Sequence, residues 1–395
     1  MKVLLVGNYQ YDGSRSMQIW GRALLRELLE RNIDARLICP KPVFGRLRPS
    51  ANGFGKWLGY IDRFLLFPRQ LRAAAADSDV VHICDHGSAM FACKVKGRPV
   101  VVTCHDMLAV RGALGEIPEM RSSLSGRLLQ SWIQKGVRHA AHVACVSQFT
   151  LDDAARILKN DVNLSKVLNG LNYPFRVLEE AEVERRLAGL PGLQRPFILH
   201  VGSSHARKNR DGVIRIFAQA AKSVDLQLVF AGSALSEVLQ QAARSEQVEE
   251  RIIQVVDPKV EMVEALYNRA VALLFPSKYE GFGWPPIEAQ ACGCPVVASD
   301  IPPLGEAVAG SAVLYPLENE AGMAEMIVRL ARDREFRDAV RQRGFENVQS
   351  RFQTSRMMDD YIALYQKAIA EHDQTAEASH ATRIANHINE RPKQK

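Results

Sequence analysis

The sequence predicts an α/β protein of two Rossmann-like domains, each a parallel sheet with helices on both faces. Three observations carry this. The 395 residues suit two domains at roughly 100–200 residues each. Short β-branched, apolar runs alternate with longer helical patterns, which is the order that parallel sheets need. That alternation is broken once, by a polar stretch near 178–195 holding Gly189, Pro191 and Gly192, with Pro196 just ahead of a new apolar run.

In the first half the strands are expected at 2–6, 35–39, 80–83, 100–103, 142–146 and 166–168. In the second half they are expected at 197–201, 227–230, 252–255, 272–275, 295–298 and 312–314. Helical periodicity fills most gaps, as at 17–30, 124–139, 211–221 and 321–331. The expected organisation is a first domain over 1–178, a linker over 179–195 and a second domain over 196–350. A C-terminal helix over 351–372 and a flexible tail over 373–395 follow; the tail is polar and lacks periodicity.

Composition narrows the class. Hydrophobic residues make up 47% and charged residues 24%, which describes a soluble globular chain able to build a core without staples. The seven cysteines are odd in number and irregular in spacing, against a disulfide framework. Cys292-Gly-Cys294 is too tight for usual zinc spacing. The Val3–Val6 run is too short for a signal peptide, and no apolar run approaches the ~18 residues of a membrane span, so the expectation is a cytoplasmic protein. The net charge of +7 fits an anionic ligand, nucleic acid or a membrane surface and does not choose among them.

In open α/β sheets, ligands bind beyond the carboxyl ends of the strands. The loop after 272–275 is the richest of these: Pro276-Ser-Lys-Tyr-Glu280-Gly-Phe-Gly-Trp-Pro-Pro-Ile-Glu288. Gly281 and Gly283 permit close backbone approach, and Pro285 and Pro286 suit the first turn of a helix. The unpaired amides there would hold a diphosphate. A carboxylate at Glu288 can accept both hydroxyls of a vicinal diol such as a ribose. Glu280 lies on the loop before it and could reach a second sugar.

This segment resembles the Glu-x7-Glu motif of family-4-type retaining glycosyltransferases of the GT-B fold, in which two Rossmann-like domains face a central cleft. The resemblance implies that Glu280 contacts the transferred sugar, that Glu288 holds the nucleotide ribose, and that the backbone of Gly281, Phe282 and Gly283 meets sugar and diphosphate. A second segment, Gly202-Ser-Ser-His-Ala-Arg207-Lys208-Asn209, is similar to the family's glycine-then-Arg-Lys-Asn loop, which binds the donor pyrophosphate. Many members carry an arginine directly after the glycine; here Ser203 stands there, leaving Arg207 and Lys208 as the pair.

A third, Val100-Val-Val-Thr-Cys-His105-Asp106, is similar to the family's strand-then-His-Asp element, whose histidine faces the donor sugar. Gly13 and Asp106 are placed on the acceptor side. His82, Asp85 and His86 also stand near a strand end, with packing and the acceptor pocket both open to them. Val146-Ser147-Gln-Phe-Thr150 resembles the family's Ser-x-x-Thr helix start and suits an N-cap. The resemblance further implies that the last helix, through 361–370, crosses back onto the first domain.

The function expected is a retaining glycosyltransferase moving a hexose, mannose being one candidate, from a nucleotide sugar to a glycan or lipid-linked acceptor. Neither a catalytic metal nor a separate cofactor is expected. Asp77-Ser78-Asp79 has the look of a metal-binding Asp-x-Asp but precedes its strand, at the wrong end of the sheet. A nucleotide-sugar epimerase of the same two-domain form, or a non-catalytic nucleotide-sugar-binding protein, remain as alternatives. A nicotinamide dehydrogenase would need a Gly-x-Gly-x-x-Gly that the Gly7–Ser16 segment lacks. Residues 41–72 carry seven Lys/Arg and one acidic residue among Phe44, Phe54, Trp57, Tyr60, Phe64 and Phe67. They suit either an amphipathic helix packed on the first domain or contact with an anionic membrane. Nucleic-acid binding shares that charge signature but finds no supporting motif.

Overall fold

The computed structural model describes residues 1–49, 53–159, 161–193 and 195–389. Among the described residues, twelve strands form two six-stranded, wholly parallel sheets. The first runs β2 (Asp34–Ile38), β1 (Lys2–Val6), β3 (Val80–Ile83), β4 (Val100–Cys104), β5 (His142–Cys145) and β6 (Leu164–Lys166). The second runs β12 (Val313–Tyr315), β11 (Val296–Ser299), β10 (Ala272–Phe275), β7 (Phe197–Gly202), β8 (Gln227–Gly232) and β9 (Ile252–Val256). Central strands such as β4 and β10 are buried at every position. That follows from helices on both faces, and it explains why these runs are continuously apolar rather than alternating.

Strand order reverses between β1 and β3 in the first sheet and between β7 and β10 in the second. Those are the switch points where the carboxyl ends of neighbouring strands open a crevice. The loops singled out from sequence leave from these four strands and from β4 and β5 beside them.

Two parts of the expected organisation differ. The linker is not all loop: Glu180–Leu187 is a helix, because Val183 and Leu187 give it an apolar edge to bury. Arg186 then ties it to the Val260–Arg269 helix through Glu264, at 2.6 Å. The tail is not irregular as far as it is described. The helix that starts at Thr354 continues to Asn389, in a stretch with no glycine or proline before Pro392 and many good helix formers. Residue 194 of the linker and 390–395 of the tail lie outside the described residues.

The last helix does cross to the first sheet. Met357, Met358, Tyr361, Leu364, Tyr365 and Ala368 pack with Trp20, Leu24 and Leu28 over Val3, Leu5 and Val101. His82 belongs to that packing. Its ring bonds Tyr365 Oη at 2.6 Å and Thr103 Oγ1 at 2.8 Å, and burial pushes its pKa down to about 3, so it stays neutral. Asp77 and Asp79 lie at the amino end of β3 and pair with Lys2 and the amino terminus, away from both crevices. No helix among the described residues is long and apolar enough to cross a membrane.

Candidate active site

The second-half site assembles because β7 and β10 are neighbours. That pairing brings the loop after β7 onto the loop after β10, 72 residues on. Lys208 Nζ lies 2.6 Å from Glu280 Oε1, and Arg207 Nη1 lies 2.7 Å from Oε2. Arg207 Nη1 also donates to the Tyr279 carbonyl, and the Arg207 carbonyl accepts from Lys278 N. Lys208 is buried, with its ammonium 4.5 Å from the centre of the Phe275 ring. Burial by itself would raise the Glu280 carboxyl, but the Lys208 and Arg207 charges outweigh it and hold the pKa below the ordinary 4.5. Burial also pulls the Lys208 ammonium down, against the pull of Glu280. The two cations expected for pyrophosphate are thus both paired with the one carboxylate expected for the sugar.

Gly283 is the N-cap of the Trp284–Ala291 helix, at φ 111°, with Pro285 and Pro286 in its first turn. A side chain at 283 would lie 2.6 Å from Leu304 Cδ2, so position and backbone both demand glycine. Glu288 sits inside this helix, buried. Its Oε2 accepts from Tyr267 Oη at 3.0 Å, and Oε1 has no protein hydrogen bond among the described residues. Burial raises its pKa to about 7, against the opposing Tyr267 bond and Lys208 charge. Phe282 is turned into the core against Phe352 and Trp284, so only its backbone is free to meet a ligand. Gly202 ends β7 with Lys208 Cγ just 3.5 Å from where a Cβ would stand.

From the first half, His105 is buried and donates Nε2–H to the Cys84 carbonyl at 3.0 Å. That leaves Nδ1 as the acceptor, with no partner among the described residues. Burial lowers its pKa despite the nearby Asp85. Its ring packs edge-on to Trp20 at 4.9 Å and tilts against Trp284, from the second half, at 5.7 Å. Asp106 is committed to a turn, Oδ1 accepting from Leu108 N, and lies beside Gly281. Asp85 accepts from Asn8 Nδ2 and Gly87 N, with His86 Nδ1 at 3.3 Å. Gly13 stands apart from these contacts, at φ 78° in the exposed loop after β1, with open space over it.

Sequence assigns no site role to Trp284 or Tyr267, and to Ser147 and Thr150 only a cap. Trp284 touches His105 and donates Nε1–H to the Gly170 carbonyl between the sheets. Tyr267 holds Glu288, yet in sequence it is one apolar position of a helical pattern. Ser147 and Thr150 fulfil the expected cap, Ser147 Oγ accepting from Thr150 N, and both also reach the Gly281 carbonyl across the cleft.

Residues 187–347 match the model of glycosyl transferases group 1, and residues 21–172 match that of glycosyltransferase family 4. The chain belongs to the family-4-type, group 1 family of glycosyltransferases, with the GT-B fold. It is 28% identical over 189 residues to the O-antigen chain mannosyltransferase RfbU of Salmonella typhimurium, covering 48% of this chain and 50% of that protein. It is 26% identical over 218 residues to O-antigen chain mannosyltransferase B of Escherichia coli, covering 49% and 56%. The matched part therefore spans about half the length of these relatives. Among solved structures, the chain superposes on sucrose-phosphate synthase from Thermosynechococcus elongatus with a TM-score of 0.77 at 18% identity, over 94% of this chain and 100% of that one. HepE of Anabaena, solved with UDP and glucose, gives 0.70 at 17% identity, over 93% and 100%. These likenesses concern the fold.

Proposed function

We propose that this glycosyltransferase moves a hexose from a nucleoside-diphosphate sugar to a hydroxyl of a glycan or lipid-linked acceptor, with retention at the anomeric carbon, in polysaccharide or glycoconjugate synthesis. The observation that carries the donor half is the convergence of Arg207, Lys208 and the Gly283 helix start beside Glu280 and Glu288. As the sugar–phosphate bond breaks, negative charge grows on the leaving diphosphate. Two fixed cations and the positive end of the Trp284–Ala291 helix stabilise that charge more than they stabilise the ground state. Glu288 Oε1 is free to accept a ribose hydroxyl. Glu280 gains its sugar contact when the diphosphate replaces it as the partner of the cations. A mannosyl donor has the support of the two O-antigen mannosyltransferases, and a glucosyl donor that of HepE.

The test is thermal unfolding of the protein with UDP-glucose, GDP-mannose and ADP-glucose. One of them is expected to raise Tm by several degrees, since a ligand at 100 times its Kd stabilises by about 2.7 kcal/mol. If none shifts Tm, the donor reading fails.

An acceptor on a membrane lipid has its own support. Asp62, the only acidic residue in 41–72, is buried and consumed by Tyr9 Oη and the amides of Val43, Phe44 and Gly45. Six of the seven basic residues are exposed, Arg63 being half-buried, and they stand beside exposed Leu47, Phe54, Trp57 and Leu65. Phe67 packs in the core instead. Phe64 meets Trp132 at 6.2 Å, which extends the patch onto the Leu124–His139 helix with exposed Leu124 and Leu128. Residues 50–52 of the segment lie outside the described residues. Co-sedimentation with vesicles containing anionic lipid is expected, weakening with salt and in Trp57→Glu. Equal binding to neutral vesicles, or none, would remove the membrane reading.

A further inference from the structure

We propose that Ser147 and Thr150 are positioning residues for sugar transfer, holding the Glu280–Gly283 loop of the second half in register with His105 of the first through one backbone carbonyl. The inference rests on the donor reading above and adds what assembles the site across the cleft.

Ser147 Oγ lies 2.8 Å from the Gly281 carbonyl oxygen and Thr150 Oγ1 lies 3.1 Å from it. Both hydroxyls are buried. Capping explains Ser147, the N-cap of the Gln148–Leu158 helix, whose oxygen accepts from Thr150 N. Capping does not account for the Thr150 hydroxyl, which lies 3.0 Å from Ser147 Oγ. It also donates to a carbonyl from the other half, and a carbonyl has the two lone pairs that two donors need.

The approach is very close. A side chain at Gly281 would lie 2.1 Å from the His105 carbonyl oxygen and 2.6 Å from Asp106 Cβ, so only glycine allows it. A second contact meets the same helix start independently: Glu306 Oε2 accepts from Gln148 N at 2.6 Å, and Oε1 faces Lys166 Nζ at 3.5 Å. When the halves part, the Gly281 carbonyl loses both donors, while the two hydroxyls keep each other at 3.0 Å. The closed arrangement is the one in which that carbonyl is satisfied. Glu280 is the residue immediately before this carbonyl. Its side chain is fixed by Arg207 and Lys208, while its neighbour is pinned to the first half. The clamp therefore sets the distance between the sugar-side carboxylate and His105.

The test separates clamp from cap. Thr150→Val removes the hydroxyl at nearly constant shape. Ser147→Asp keeps an N-capping oxygen but cannot donate to Gly281. The readout is nucleoside-diphosphate release from UDP-glucose or GDP-mannose, whichever the unaltered protein consumes. Both variants are expected to lower kcat at least ~10-fold, as small misplacements at a reacting centre do, with donor KM within about twofold. Thr150→Ser should restore most of kcat. Unchanged kcat in both variants, or a loss that Thr150→Ser does not rescue, overturns the proposal. X-ray scattering of the full chain decides it separately: Thr150→Val is expected to have a larger radius of gyration than the unaltered protein, and equal radii overturn the clamp. If the unaltered protein consumes no nucleotide sugar, it is the donor reading that has failed, and scattering still judges the clamp.

Discussion

Glu280→Gln is expected to lower kcat by roughly 10²–10³-fold, the usual cost of removing a group that stabilises developing charge, while nucleoside diphosphate binds at least as tightly as before. The two halves of that expectation come from one geometry. The carboxylate is the counter-ion of Lys208 and Arg207, at 2.6 and 2.7 Å. A diphosphate must displace it from both. An amide at 280 keeps the shape but removes the competing charge, so the cations become freer to take the anion. Catalysis loses the carboxylate that would face the sugar. Stability should fall as well, because a buried ammonium is left without its partner, a loss of order 3 kcal/mol. The sign with pH follows from the lowered pKa of Glu280. Its stabilising contribution is full above the ordinary 4.5 and is lost as acid titrates it, so the variant and the unaltered protein should converge in Tm at low pH. Calorimetric titration with UDP or GDP, beside steady-state kinetics, checks the split. Parallel loss of kcat and nucleotide affinity would make Glu280 a structural anchor of the cation pair and no more.

Much of this geometry can be read from the chain, and what cannot be has a physical reason. Runs such as Val100–Cys104 and Ala272–Phe275 are legible because a strand buried on both faces tolerates only apolar residues. Gly281, Gly283 and the two prolines are legible because the backbone path they permit is narrow. Glu280 facing Lys208 is not, since local patterning does not fix strand order, and the contact exists only because β10 pairs with β7. The clamp at Gly281 is hidden for the same reason, doubled: it joins two sheets. Ser147 and Thr150 advertise a cap, and the cap is real. Their second duty leaves no local mark. Tyr267 is hidden by its chemistry, since a buried phenol looks like any large apolar residue until its oxygen finds Glu288. The helix at Glu180–Leu187 and the extension to Asn389 were obscured by polar composition, which argues against burial more strongly than against helix.

Glu288→Ala should weaken nucleotide-sugar binding by roughly 10²-fold, in the range for truncating a buried charged partner. The carboxyl lies inside the helix whose start would cradle the diphosphate, and one oxygen is committed to Tyr267 while the other is free. Its pKa near 7 makes the role visible in pH. A ribose diol donates hydrogen bonds, so it prefers the ionised carboxylate. Donor affinity should therefore climb as pH rises toward about 7, by up to tenfold per unit, and level off above it. UDP-glucose or GDP-mannose suits the measurement, because the diphosphate of a nucleotide sugar stays fully ionised across the window. Stability without ligand should run the other way. The folded protein keeps a proton that the unfolded chain releases near 4.5, so this group's contribution declines between 4.5 and about 7. Glu288→Gln should flatten both slopes. Tyr267→Phe should shift them to higher pH, because it removes the hydrogen bond that favours the ionised form. Donor affinity that is flat with pH in the unaltered protein, or unchanged in Glu288→Ala, would mean that the ribose is held elsewhere.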